Sequence, residues 1–94
     1  MKNNNLKTCT NVKDKNNNPI YQYDFVRVDN NLIAWVGWHD WDKEFTLYAN
    51  VYSVEKLNLL EKARKAWSDG ELNSSRLEIV GNKDNNPDLL YVYV

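Results

Sequence analysis

The stretch from Leu32 to Tyr52, LIAWVGWHDWDKEFTLYANVY, decides the fold. Residues 32–38 are apolar on both faces of an extended chain, which is typical of a central strand in a sheet. After a polar turn at residues 39–43, apolar and polar side chains alternate from Glu44 to Tyr52, as they do in a half-buried strand. The stretch therefore predicts two antiparallel strands joined by a short turn.

An extended segment from Ile20 to Asp29 precedes this pair and supplies a third strand. Asn30 and Asn31 then predict a tight hairpin turn, because Asn tolerates positive φ angles. Residues 19–52 are thus expected to form a three-stranded antiparallel meander. Residues 1–18 are polar and rich in Asn, and we expect an irregular lead-in there.

A helical period replaces the strand pattern over residues 53–70. Ser53 is a suitable N-cap, and Gly70 suits the position that follows the last turn of a helix. One half of the helical wheel is apolar and contains Leu57, Leu59, Leu60, Ala63, Ala66 and Trp67. This amphipathic helix is expected to pack on one face of the sheet. The second face is then left for solvent, for a partner, or for closure of the sheet.

Residues 75–94 predict two further strands, Arg76 to Val80 and Leu89 to Val94, with a loop rich in turn-forming residues between them. A chain of 94 residues has room for one hydrophobic core. We therefore expect one α+β domain over residues 1–94. In it an antiparallel β-meander, one amphipathic helix and two C-terminal strands pack together.

The net charge is −1 and is spread evenly along the chain. A nucleic-acid-binding protein usually carries a net positive charge or a basic stripe, so this balance favours a protein partner over a nucleic acid. Cys9 is the only cysteine, which excludes a disulfide within the chain. The sequence shows neither an apolar run as long as a membrane span nor the apolar core of a signal peptide. A cytoplasmic protein without a membrane role is expected.

The residue types used in catalysis do not form a recognisable set. His39 is the only histidine, and its pairing with Cys9 has no local signature of a nucleophilic site. His39, Asp40 and Asp42 resemble part of a metal site, but no second His or paired Cys completes it. The glycines are isolated, so no phosphate-binding loop is predicted. We therefore expect no enzyme activity, no cofactor and no metal.

Aromatic residues are the unusual feature of the composition, with four Trp and six Tyr in the chain. In a regular strand Trp35 and Trp38 point to opposite faces, and we expect at least one of them to lie in the core. Trp41 falls in the turn and is expected to be exposed. Because Trp and Tyr are enriched in protein interfaces, the predicted partner-binding surface contains Trp38, His39, Asp40, Trp41, Tyr48 and Tyr52.

The segment from Val12 to Val26, VKDKNNNPIYQYDFV, resembles a motif of YopX-type phage proteins, KDKNGxxIYxGDIV. The similarity covers only this segment, and Tyr23 stands where the family has the Gly before the Asp. The resemblance implies that the chain comes from a phage, a prophage or a plasmid. It also implies an SH3-like curled sheet over residues 19–52, and it implies no catalytic residues.

Two functions of different classes remain open. In the first, the chain is a non-enzymatic mobile-element protein that binds and inhibits a host protein in the host cytoplasm. Inhibitors of CRISPR effectors or of other antiviral defences are examples of such small α+β proteins. In the second, the curled sheet is a nucleic-acid-binding small barrel that stacks bases on Tyr and Trp, with Lys and Arg around them. Homodimerisation is a further use for an exposed aromatic face.

Overall fold

A computed structural model describes the backbone of residues 8–91 and the side chains of residues 8–89. The strands are β1 (Cys9–Lys13), β2 (Pro19–Tyr21), β3 (Asp24–Val28), β4 (Leu32–His39), β5 (Glu44–Tyr48) and β6 (Leu77–Asn82). One α-helix, α1 (Val54–Ser68), lies between β5 and β6 in the chain, and short 3₁₀ helices span Ser74–Arg76 and Pro87–Tyr91. The predicted α+β class with an antiparallel meander is confirmed.

The central sheet has the strand order β5-β4-β3-β6, and all of its neighbours are antiparallel. Asp29 and Asn30 have φ angles of 54° and 63°, as a type I′ hairpin turn requires at both central positions. The tight turn between β3 and β4 therefore lies one residue earlier than the predicted Asn30-Asn31. β5 ends at Tyr48 rather than at the predicted Tyr52.

The predicted single strand from Ile20 to Asp29 is wrong, because the chain bends at Tyr23, where φ is +73°. The Tyr23 N–H donates to the carbonyl of Val36 at 2.8 Å, and Asp24 Oδ2 accepts from the Tyr21 N–H at 2.8 Å. These two hydrogen bonds hold the bend. The residues before it form β2, which belongs to a separate two-stranded sheet with β1.

The irregular lead-in predicted for residues 1–18 is also wrong over residues 9–13, because these residues form β1. A polar segment becomes a strand here since β2 supplies the partners for its backbone groups. Residues 1–7 lie outside the described part of the chain.

The predicted helix is confirmed at both ends. Ser53 Oγ accepts from the Lys56 N–H at 3.1 Å, and Gly70 has the positive φ of 74° that favours glycine after a helix. α1 packs against β5 and β4, and it buries Leu60 and Ala63. Its apolar face is narrower than predicted, because Leu57 and Leu59 remain exposed.

The C-terminal part contains one strand in place of the two expected. β6 pairs antiparallel with β3 and so extends the meander on its other side. The second predicted strand is wrong over Leu89 to Tyr91, which form part of a 3₁₀ helix. Successive turns lead into it, since the N–H of Asn86 donates to Asn82 O at 2.8 Å and the N–H of Leu89 donates to Asn86 O at 3.0 Å. Residues 92–94 lie outside the described part.

The core lies between the central sheet and α1. The two faces of the central sheet carry different side chains. One face carries Val26, Ala34, Val36 and Leu47 and packs with Leu60 and Ala63 of the helix. The opposite face carries an aromatic row: Phe25 meets Trp35 edge-on at 6.4 Å, and Trp35 stacks with Tyr48 at 5.9 Å.

Candidate protein-binding surface

The outer end of the β4–β5 hairpin, residues 38–45, is named here the hairpin tip. Trp38 pairs with Phe45 and His39 pairs with Glu44, and residues 40–43 form the turn. Two pairs further in, Val36 and Leu47 are fully buried. The change from buried to exposed side chains therefore occurs within a few residues of the same hairpin, so a rigid core supports the tip.

Trp41 is the most exposed large hydrophobic side chain of the described residues, with 90% of its surface accessible. Trp38 is 42% exposed and meets the ring of Phe45 edge-on at 5.0 Å. Thr8 and Gln22 join these two rings in lining an open hollow of about 370 Å³. The tip thus presents one free indole in its turn and a largely apolar depression beside Trp38 and Phe45.

Strand alternation predicts that at least one of Trp35 and Trp38 lies in the core, and this prediction is wrong. Trp35 is half-buried within the aromatic row, and Trp38 is exposed on one side. The two rings do lie on opposite faces, since Trp38 is on the face of Val36 and Trp35 is on the face of Tyr48. The cluster that packs between the sheet and α1 is formed by aliphatic side chains, and the fully buried aromatic ring among the described residues is that of Phe25.

His39 is held within the tip. Its Nδ1 lies 3.0 Å from Oδ2 of Asp42 and 3.4 Å from the backbone N of the same residue. Nδ1 donates to the carboxylate in the tautomer that carries its hydrogen there and accepts from the N–H in the other tautomer, so His39 is tied to Asp42 in both cases. Among residues 8–91, no group of three or more His, Cys, Asp or Glu side chains is placed to hold a metal ion.

A cleft of about 360 Å³ runs beside the tip, between β5 and α1. Both carboxylate oxygens of Glu44 lie 3.1 Å from Ser68 Oγ, which joins the tip to the end of the helix. Arg64 donates from Nε to the carbonyl of Leu47 at 2.7 Å, and its guanidinium carbon lies 5.6 Å from the centre of the Tyr48 ring. Arg64 therefore covers part of the edge of β5.

The structure brings together four of the six predicted site residues: Trp38, His39, Asp40 and Trp41 all belong to the tip. Tyr48 lies in the aromatic row, between Trp35 and Arg64, and it lines the cleft. Tyr52 is 79% exposed, but it follows the end of β5 and lines neither the hollow nor the cleft.

Phe45 and Glu44 belong to the tip but are absent from the predicted set. Each lies directly across the hairpin from a predicted residue, Phe45 opposite Trp38 and Glu44 opposite His39. Folding the sequence about residues 40–43 reveals this pairing. No pattern in the sequence predicts that Thr8 and Gln22 line the hollow. Their position depends on the bend of the chain at Tyr23.

None of the helices in the described part of the chain combines the length and the apolar character needed to cross a bilayer. Comparison of the chain with models of protein families, with curated proteins and with solved structures finds no match.

Proposed function

We propose that this chain acts by binding another protein through the hairpin tip, and that this binding inhibits the partner. The observation that carries the proposal is Trp41, whose side chain is 90% exposed. A buried Trp gains much of its stabilising effect from the area it removes from water, so an exposed one contributes little to folding. Trp is also the residue type most enriched in the energetic centres of interfaces.

The neighbourhood of Trp41 supports the proposal. Strand pairing fixes Trp38 and Phe45, and their edge-on contact orients both rings. A partner side chain that enters the adjacent hollow therefore meets a surface that loses little conformational freedom on binding. An apolar depression beside an exposed indole is the arrangement that a protein interface uses for its anchor residues.

The sequence resemblance to YopX-type phage proteins favours a host protein as the partner. A component of an antiviral defence, such as a CRISPR effector, is the kind of partner that small non-enzymatic proteins of this origin inhibit. The support for this class is analogy of size and origin. The proposal implies that the chain works in the host cytoplasm.

Nucleic-acid binding has less support. Arg27 and Lys15 both pair with Glu78, at 3.0 Å and 3.7 Å, and Arg76 pairs with Asp29 at 2.7 Å. These cations are compensated within the molecule, whereas a phosphate-binding surface presents uncompensated Lys and Arg. The tip also contains three carboxylates, those of Asp40, Asp42 and Glu44, and these repel phosphate.

Affinity capture tests the proposed function. Tagged wild-type chain and the Trp41→Ala variant are expressed in the host cytoplasm, and co-purified proteins are quantified by mass spectrometry. We expect a small set of proteins that the wild type enriches and that Trp41→Ala loses by about tenfold or more. Val54→Ala is the matched control, because Val54 is an exposed apolar residue outside the tip.

Three results would count against this function. The first is that the wild type enriches no protein over the tag alone. The second is equal capture by the wild type and Trp41→Ala, which would remove the tip from the interface. The third is a DNA or RNA complex that forms at low salt and weakens steeply as salt is added, which would favour the nucleic-acid alternative. Sedimentation of the purified chain shows separately whether the tip binds a second copy.

A further inference from the structure

The hairpin tip carries an excess of negative charge around its exposed rings. Asp40, Asp42 and Glu44 stand at alternate positions of the turn and the start of β5, and Lys43 is the only cation among them. Within the described residues, none of these carboxylates forms an ion pair with Lys or Arg. Asp42 contacts His39, and Glu44 contacts the hydroxyl of Ser68.

The carboxylates of other regions are compensated to a larger extent. Asp29 pairs with Arg76, Glu61 with Arg64, Asp69 with Lys65, and Glu78 with both Arg27 and Lys15. Glu55 and Asp88 also form no ion pair with Lys or Arg among the described residues, but neither has another acidic residue within two positions of it in the sequence. The tip is therefore where uncompensated negative charge and exposed aromatic surface coincide.

We infer that the surface contacted by the tip is a cationic protein segment, rich in Arg or Lys, whose charges pair with Asp40, Asp42 and Glu44 around Trp41. This inference rests on the proposed function and adds the chemistry of the partner to it. A guanidinium binds a carboxylate through two parallel hydrogen bonds. The face of an indole also attracts a cation, most strongly when both are removed from water.

The cleft beside the tip offers a place for one long side chain of such a segment. Asp42 and Glu44 line its side towards the tip. Arg64 and Lys65 line the opposite side, but each already has acceptors: Arg64 binds the carbonyl of Leu47 and Glu61, and Lys65 binds Asp69 at 3.0 Å. Asp42 and Glu44 have no Lys or Arg partner among the described residues, so an incoming cation would add to their contacts with His39 and Ser68 without displacing another cation.

Other occupants fit the tip less well. A purely apolar segment would cover the carboxylates without pairing them, and burial of an unpaired charge is costly. A nucleic acid would bring phosphates towards three carboxylates and a single Lys. An Arg- or Lys-rich protein segment satisfies the rings and the carboxylates together.

Synthetic peptides test the inference directly on the purified chain. The probe is a fluorescently labelled peptide in which Arg alternates with Gly and Ser, and the matched peptide carries neutral citrulline in place of Arg. Binding is followed by fluorescence anisotropy at about 0.05 M and 0.15 M salt. We expect the Arg peptide to bind the wild type at least about tenfold more tightly than the citrulline peptide, and more weakly at the higher salt.

Two double variants locate the binding. Asp42→Asn together with Glu44→Gln is expected to weaken the Arg peptide by about tenfold. Glu55→Gln together with Asp88→Asn removes the same charge outside the tip and is expected to change binding by less than about twofold. Denaturant unfolding of each variant verifies that the fold is retained.

The inference is overturned if the Arg peptide does not bind, if the citrulline peptide binds equally well, or if the two double variants behave alike. These failures differ from a failure of the proposed function. A captured protein that depends on Trp41 but is retained by the Asp42→Asn, Glu44→Gln variant would leave protein binding in place and remove the cationic partner.

Discussion

Two hairpin turns of this molecule use Asp in opposite ways. In the turn between β1 and β2, Asp14 is only 2% exposed and accepts the backbone N–H groups of Asn16, Asn18 and Ile79 at 2.9–3.0 Å. In the turn between β4 and β5, Asp40 and Trp41 are exposed to solvent. A turn that folds back on the protein uses its carboxylate as an anchor, whereas a turn that projects from the sheet leaves its carboxylate in solvent.

The turn between β1 and β2, which contains Asp14 and is called the anchor turn below, joins the two sheets. Ile79 lies in β6, so the third hydrogen bond of Asp14 ties the β1–β2 hairpin to the edge of the central sheet. The Lys15 N–H adds a bond to the carbonyl of Leu77 at 2.8 Å. Burial raises the pKa of Asp14, but the N–H donors of Ile79, Asn18 and Asn16 and the charge of Lys15 outweigh it, and the pKa lies below its usual value.

The largest effect is expected from Asp14→Ala, which breaks the anchor. The three N–H groups lose their common acceptor, and the free energy of unfolding should fall by about 3 kcal/mol. Asp40→Ala is the matched variant in the projecting turn, and it should change stability by less than about 0.5 kcal/mol. Urea unfolding followed by circular dichroism measures both. Equal losses in the two variants would contradict the contrast between the turns.

Acid titration compares the same two turns, and its expected effect on the free energy of unfolding is smaller. Because the pKa of Asp14 is lowered in the folded chain, its ionised form stabilises the fold above the usual value of 3.8, and this contribution is lost as the pH falls below it. Asp14→Asn cannot titrate, so the stability difference between it and the wild type should shrink from about pH 5 to about pH 2. The rate of change cannot exceed about 1.4 kcal/mol per pH unit for one group.

Chemical denaturation at a series of pH values provides this measurement. Asp40→Asn is the control, because it exchanges an exposed carboxylate for an amide in the projecting turn. A difference for Asp14→Asn that does not vary with pH would mean that Asp14 has the same proton affinity in the folded and unfolded chain. The anchor would then not depend on its charge.

The parts of the fold that the sequence predicts are those governed by local patterns. The meander and α1 follow from periodicity and from the caps at Ser53 and Gly70. The anchor turn is different, because Asp14 meets Ile79, which is 65 residues away in the chain. No local pattern marks that contact, and β1 is missed for the same reason. At the tip, the exposed Trp41 follows from the turn, whereas Phe45 requires the strand register.

A third turn lies between β2 and β3. Its residue Tyr23 allows the energetic cost of a strained backbone angle to be measured. Tyr23 has a φ of +73°, which a residue with a Cβ adopts at a cost that glycine avoids. Its ring is 40% exposed, and the ammonium of Lys83 lies 4.5 Å from the ring centre. The variants Tyr23→Gly and Tyr23→Ala both lack the ring. Only Tyr23→Ala keeps the Cβ that makes this backbone angle strained.

We expect Tyr23→Gly to be more stable than Tyr23→Ala by about 1 kcal/mol. The sign is opposite to the usual advantage of Ala over Gly, which comes from the flexibility of Gly in the unfolded chain. Thermal and urea unfolding both report the difference. If Ala is the more stable residue at this position, the bend is not strained, and Tyr23 adopts its positive φ without loss.

The smallest effect on the free energy of unfolding is expected from Trp41→Ala. The proposed function requires this effect to be small. With 90% of its surface accessible, Trp41 should contribute less than about 0.5 kcal/mol to the free energy of unfolding. Trp38→Ala should cost more, about 1 kcal/mol, because it also removes the contact with Phe45. If Trp41→Ala instead destabilises the chain as much as Asp14→Ala, then Trp41 packs against the protein in solution. In that case the failure of the Trp41→Ala variant to capture a partner would reflect unfolding of the variant. The tip would then be a second anchor rather than a binding surface.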